Sequence, residues 1–185
     1  VCRPLGPEYG DAPSVGYELL YRQVLRAQGI FSPRTVNVHF GLEYIAENLD
    51  APTVVLQYPS KSEFIRELKK GYDYVGISFL MAIFHKVKEM VALVREHAPQ
   101  TKIVLGGYGT VLTDEELKPY ADYICREEGV AYFRRLLGEP EIPMPYKHPL
   151  IVSWLKIFGW KVSGTGKIFA GLGCPNGCDF CCTSH

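Results

Sequence analysis

The chain has no excess of charge of either sign: 20 Lys and Arg are matched by 20 Asp and Glu across 185 residues. The basic footprint that grips a phosphate backbone is therefore missing, and no nucleic-acid partner is expected. No apolar run is long enough to cross a bilayer, and no charged-then-apolar leader opens the chain, so neither a membrane partner nor secretion is expected. Internal repeats and low-complexity tracts are absent as well. Apolar residues are not in short supply. At 47% they suffice for a packed core, which argues against a disordered chain.

An initiating Met is also lacking. Val1-Cys2-Arg3-Pro4 reads as the tail of a strand already under way, and Cys181-Cys182-Thr183-Ser184-His185 follows hard on a cysteine cluster. Both ends are expected to be cuts through a longer protein. Of the six Cys, four fall between positions 174 and 182. Without a sign of secretion, such bunching favours metal over a disulfide framework. Cys2 and Cys125 stand alone, and Cys125, within the apolar run Tyr123-Ile124-Cys125, reads as a small buried residue.

Helix and strand patterns alternate, which predicts a parallel sheet with crossover helices. Tyr17 to Gln28 reads as a helix closed by Gly29, Pro33 to Phe40 as an irregular connection, and Leu42 to Leu49 as a helix. Thr53 to Gln57 reads as a short buried strand. Ser60 and Glu63 form a capping box for a helix to Lys70, ended by Gly71. Strands are expected at Tyr74–Phe79, Lys102–Gly106 and Tyr123–Arg126. Between the first two, Ile83, Val87, Met90, Val91 and Val94 make one buried stripe of a helix running to His97. Thr113 and Glu116 form a second capping box, and Val130 to Leu137 is a helix closed by Gly138. Pro140, Pro143, Pro145 and Pro149 then mark a linker. The aromatic stretch Leu150 to Trp160 fits no clear element, and Lys167 to Leu172 reads as one more strand.

The cysteine spacing is Cys174-x3-Cys178-x2-Cys181, with Cys182 adjacent. Three thiolates on one tight loop can hold three irons of a four-iron cluster and leave the fourth open, whereas electron-transfer ferredoxins close all four sites with Cys. Pro175, Asn176 and Gly177 supply the turn. A zinc site or a structural thiol group is the alternative. Zinc usually takes two separated ligand pairs, which this spacing fits poorly.

Gly173-Cys174-Pro175-Asn176-Gly177-Cys178-Asp179-Phe180-Cys181 resembles the signature of the radical S-adenosylmethionine (SAM) superfamily. The resemblance implies that Cys174, Cys178 and Cys181 ligate a 4Fe-4S cluster, that the open iron binds SAM, and that Phe180 lies beside the SAM adenine. It also implies an external electron donor. It covers only Lys167 to His185, the first strand and cluster loop of a truncated barrel, and Cys182 has no counterpart in the motif.

In an open parallel sheet, ligands bind beyond the C-terminal strand ends. Here those ends are Arg3-Pro4, Tyr58-Pro59, Ser78 to Ala82, Gly106 to Thr110, and Glu127 to Gly129. Gly106-Gly107 would let a ligand approach the backbone, Ser78 offers a hydroxyl, and a helix N-terminus there would favour phosphate. The ordered set Asp73–Ser78, Lys102–Gly107 and Ala121–Gly129 resembles the cobalamin-binding domain that precedes many radical SAM barrels, over about Val1 to Gly138. That resemblance implies contacts to cobalamin from Gly76, Ser78, Phe79, Leu80, Gly106, Gly107, Tyr108 and Gly129, with Glu127 and Glu128 partly structural. The Asp-x-His-x-x-Gly motif whose His ligates cobalt is lacking. His39 and His85 are conceivable substitutes, but His85 reads as a surface or capping residue, His97 as a helix C-terminal charge and His148 as linker.

The expectation is thus a doubly wound, parallel, five-stranded flavodoxin-like sheet over 1–138, a linker over 139–166 and the start of a radical SAM domain over 167–185. The function implied is that of a cytoplasmic, cobalamin-dependent radical SAM enzyme. Methyl transfer to an unactivated carbon of an unidentified substrate comes first, and cyclisation or rearrangement second. The competing readings are a cobalamin-binding module without catalysis, a flavodoxin-like domain that only docks on the barrel, and a structural metal protein.

Overall fold

The computed structural model describes residues 40–157 and 160–168, together with 171, 173, 174, 176 and 178. The readings made for Val1–Pro4, the helix Tyr17–Gln28, His39, Phe180, Cys181 and Cys182 lie outside the described residues.

Three short apolar runs form a parallel sheet: β1 (Tyr74–Ser78), β2 (Lys102–Gly106) and β3 (Tyr123–Ile124), in that order. β1 and β2 pair from Tyr74↔Lys102 to Ser78↔Gly106. Val75, Gly76 and Ile77 are all buried, as are Ile103, Val104 and Leu105. Runs buried on consecutive residues are what a sheet covered on both faces requires. Alternate residues feed two layers. Val75, Ile77, Ile103 and Leu105 pack under α2 (Lys61–Leu68) and α3 (Phe84–His97) through Phe64, Leu68, Val87, Met90 and Val94. Val104 and Cys125 face Phe133 and Leu136 of α5 (Gly129–Leu137) and Ile45 of α1 (Phe40–Glu47).

The helices begin and end where local chemistry provides for it. The capping boxes at Ser60/Glu63 and at Thr113/Glu116, the latter opening the single turn α4 (Asp114–Leu117), are both formed. Gly138 closes α5 in the left-handed conformation at φ 72°, which costs Gly little. The stripe Ile83, Val87, Met90, Val91 and Val94 is buried throughout.

The five-stranded sheet is not what the described residues form. Thr53–Gln57 is not a strand: only Leu56 makes an isolated bridge, and Val54 is 40% exposed. A cavity of about 360 Å³ is lined by Leu49, Pro52, Val54 and Leu56 together with Tyr74, Val75 and Gly76 of β1.

Beyond α5 the chain is not simply a linker. β4 (Ile151–Ile157) and β5 (Trp160–Lys167) form an antiparallel hairpin, so the unplaced aromatic stretch is mostly strand. Of the strand expected at Lys167–Leu172, Lys167 is the last residue of β5 and pairs with Ile151, Ile168 and Gly171 are not in strand, and residues 169, 170 and 172 lie outside the described residues.

The segment between domain and hairpin is fastened down. The buried Asn48 side chain accepts from Lys147 N–H (2.8 Å) and donates to Lys147 C=O (2.9 Å), reading that backbone as a strand would. Arg134, 4% exposed, donates to the carbonyls of Asn48 and Pro140 and pairs with Asp50 and Glu139.

Candidate functional site

The C-terminal ends of β1, β2 and β3 lead into three loops that form one surface. β2 ends in Gly106-Gly107-Tyr108-Gly109, which turns through a single 3-10 element, Tyr108–Val111. Gly107 holds φ 82°, and a methyl group there would sit 2.6 Å from Ser78 Oγ. Only Gly satisfies both the dihedral and the space. The loops from β1 and β2 are hydrogen-bonded together. Phe79 N–H donates to Gly106 C=O at 3.0 Å, and Gly109 N–H donates to Phe79 C=O at 2.8 Å. The Phe79 ring is wholly buried beneath Gly109 and stacks on Phe84, which meets Tyr120 edge-on.

On top, Met81 (57% exposed), Tyr108 (50%) and Val111 (64%) leave apolar surface in water around Gly107. Clustered exposed apolar groups around a glycine turn suit a broad, flat, largely apolar ligand. Among the described residues no three His, Cys, Asp or Glu side chains gather as a metal site.

The expected contact residues divide into three groups. Gly106, Gly107 and Tyr108 lie on this surface, and Ser78 and Leu80 are half-buried at its rim. Phe79 and Gly76 do not face it. Phe79 is the floor under Gly109, and Gly76 is buried mid-strand, lining the cavity beside β1. Gly129 is needed for packing, since a methyl group there would fall 2.6 Å from Ile45 Cδ1. Met81, Gly109, Val111 and Arg126 also build this surface and were not among the expected contacts. The third Gly of Gly106-Gly107-Tyr108-Gly109 was the available signal for one of them.

The N-terminus of α5 is already occupied. Glu128 accepts from Val130 N–H and Ala131 N–H, both at 2.8 Å, and so caps α5 with its own carboxylate. A phosphate is not favoured at that end, contrary to the expectation from a bare helix N-terminus. The Tyr146 hydroxyl donates to the same carboxylate at 2.9 Å. Burial, then that bond, pushes the Tyr146 phenol up to about 12. Glu127 pairs with Arg135 instead. Burial raises the Cys125 thiol to about 11, and its Sγ lies 3.5 Å from Glu127 C=O. Hydrogen bonds from Lys118 and then Arg126 hold the Asp114 carboxyl below its usual range.

His85 is exposed in the first turn of α3, His97 is its last residue, and the His148 ring lies edge-on to Tyr44 at 5.0 Å. Cys174 and Cys178 are half-buried and free of disulfides. No helix of the described residues is long and apolar enough to cross a membrane.

Comparison with protein-family models matches residues 14–137, about two thirds of the chain, to the B12 binding domain. No curated protein matches the chain, and neither does any solved structure.

Proposed function

Because this chain belongs to the B12-binding domain family, we propose that it holds cobalamin on the surface formed by the loops after β1, β2 and β3. The exposed apolar group Met81, Tyr108 and Val111 around Gly107 carries the reading. Gly107 lets the cofactor approach the backbone, Ser78 and Leu80 line the rim, and Phe79 with Phe84 and Tyr120 stiffens the floor from below. Glu127 and Glu128 serve the fold, through Arg135 and the α5 N-terminus. No His of an Asp-x-His-x-x-Gly motif is available to cobalt.

The finer reading is a cobalamin-dependent radical SAM enzyme, most simply a methyltransferase acting on an unactivated carbon. It rests on Cys174, Cys178 and Cys181, which would hold three irons of a 4Fe-4S cluster and leave the fourth for SAM. Phe180 would lie beside the SAM adenine. Such cofactors supply group-transfer and radical chemistry; the chain's task is to orient them and exclude water.

Anaerobic titration with hydroxocobalamin, followed by absorbance, tests the first part. Micromolar uptake supports it, and no uptake makes the domain a docking scaffold. Iron and sulfide analysis tests the second: stoichiometric zinc without sulfide would overturn it. With the reading frame that contains this chain, release of both deoxyadenosine and S-adenosylhomocysteine supports methyl transfer. Deoxyadenosine alone indicates cyclisation or rearrangement.

A further inference from the structure

We propose that Arg126 is a positioning residue for the cofactor surface, clamping the Gly107–Leu112 loop from outside as Phe79 supports it from below. This rests on the reading of that surface as the cobalamin site. The loop has little of its own to hold its shape. It contains Gly107 at φ 82°, Gly109 and one short 3-10 turn that breaks at Leu112 before α4 begins, so its last carbonyls are not taken up by a continuing helix.

Arg126 stands immediately past the end of β3, one residue after Cys125, whose N–H donates to Leu105 C=O at 2.8 Å and so continues the sheet. Its guanidinium supplies what the loop lacks. Nε donates to Thr110 C=O at 2.9 Å and Nη2 to Leu112 C=O at 3.0 Å. Nη1 meets Asp114 Oδ1 at 2.6 Å, which balances the charge. Thr110 in turn reaches Gly107 C=O through both N–H (3.1 Å) and Oγ1 (2.8 Å). Fixing Thr110 therefore fixes the glycine that the cofactor must approach. With the bonds between Phe79, Gly106 and Gly109, the loops from three neighbouring strands become one platform.

The geometry demands a guanidinium. Three acceptors lie around one planar, rigid donor fork, and a Lys ammonium would settle as a point charge on Asp114 and release the carbonyls. Arg126→Lys therefore separates the clamp from simple charge pairing, whereas Asp114→Asn removes the charge pairing and leaves both carbonyl bonds in place.

The experiment uses the full chain and reads three quantities: thermal midpoint, amide hydrogen exchange over residues 106–117 without cofactor, and hydroxocobalamin affinity. For R126K, loop exchange should accelerate and affinity fall, each about tenfold, the equivalent of losing one hydrogen bond to a charged group. Exchange in β1 and α3 should not change. D114N should cost less on both loop readouts at a similar thermal midpoint. Wild-type loop exchange and affinity in R126K would overturn the proposal, as would a D114N loss equal to that of R126K. Failure of the wild-type chain to take up hydroxocobalamin overturns the cofactor reading itself and this role with it, whatever the exchange rates show.

Discussion

Gly109 lies flat on the ring of Phe79: a methyl group at Gly109 would sit 2.2 Å from Phe79 Cε2, and the two backbones are joined by the 2.8 Å bond from Gly109 N–H to Phe79 C=O. Phe79 is fully buried and stacked on Phe84, so it has nowhere to retreat. Gly109→Ala is expected to destabilise the chain by about 1–3 kcal/mol, the usual range for overpacking. Gly41→Ala, where nothing lies within 4 Å in the first turn of α1, should be neutral or stabilising. Chemical denaturation of both variants measures this. Pairing Gly109→Ala with Phe79→Leu should return part of the loss.

Asp122 governs the acid end of the stability profile. Burial works against its charge. The Ile103 N–H bond at 2.8 Å and the Arg95 guanidinium at 2.8 Å outweigh that and hold its pKa below the ordinary carboxylate value. A carboxyl whose folded pKa is depressed stabilises the fold above its unfolded pKa, and this stability is lost as pH falls through the folded value. Asp122→Asn should lower stability at pH 7. It should also flatten the fall in stability below about pH 4, the ordinary range of an unfolded Asp. Thermal unfolding measured from pH 7 down to pH 2.5 checks both.

Arg134 ties the start of the linker to the domain. Its side chain is 4% exposed, and Glu139, its partner at 3.1 Å, is 10% exposed. Glu139 also accepts from Asp50 N–H and Ala51 N–H. Arg134→Met would leave that carboxylate without its cation and the Asn48 carbonyl without the guanidinium N–H at 2.7 Å. Urea unfolding should show a loss of about 3 kcal/mol, as expected when one partner of a buried pair is removed.

Cys125 should be chemically silent. It is buried, and its thiol is raised to about 11 by that burial, so little thiolate forms at pH 8. Iodoacetamide at pH 8 followed by peptide mass spectrometry should leave Cys125 unmodified in the folded chain and alkylated in urea. Labelling of the folded chain would contradict the packing of β3 against α5.

Much of the domain was legible because its signals are local. The two capping boxes, the stripe of α3, the strands β1 and β2 and the glycine closing α5 each depend on residues a few positions apart. The segment Thr53–Gln57 was misread for the opposite reason. Its composition suits a strand, but only Leu56 is in a bridge, and strand pairing is set by residues distant in sequence. The hairpin of β4 and β5 was missed because Pro-rich flanks and a bulged register between Leu155 and Lys156 blur the period-two pattern.

At the site, residue type pointed to the right loops but not to the direction of each side chain. Phe79 follows a strand end, where an exposed aromatic could meet a ligand. It turns inward because Gly109 leaves room for its ring. Arg126, in the run Cys125-Arg126-Glu127-Glu128-Gly129, carried no local sign of its partners, which lie 12 to 16 residues earlier. The amino-acid order by itself determined the capping boxes, the buried stripe of α3, the glycine that closes α5, the strands β1 and β2 and the cysteine spacing, since each follows from residues close together in the chain. Only the tertiary structure decided which loop residues face outward and which cation clamps the glycine turn, because those depend on what distant segments place beside each group.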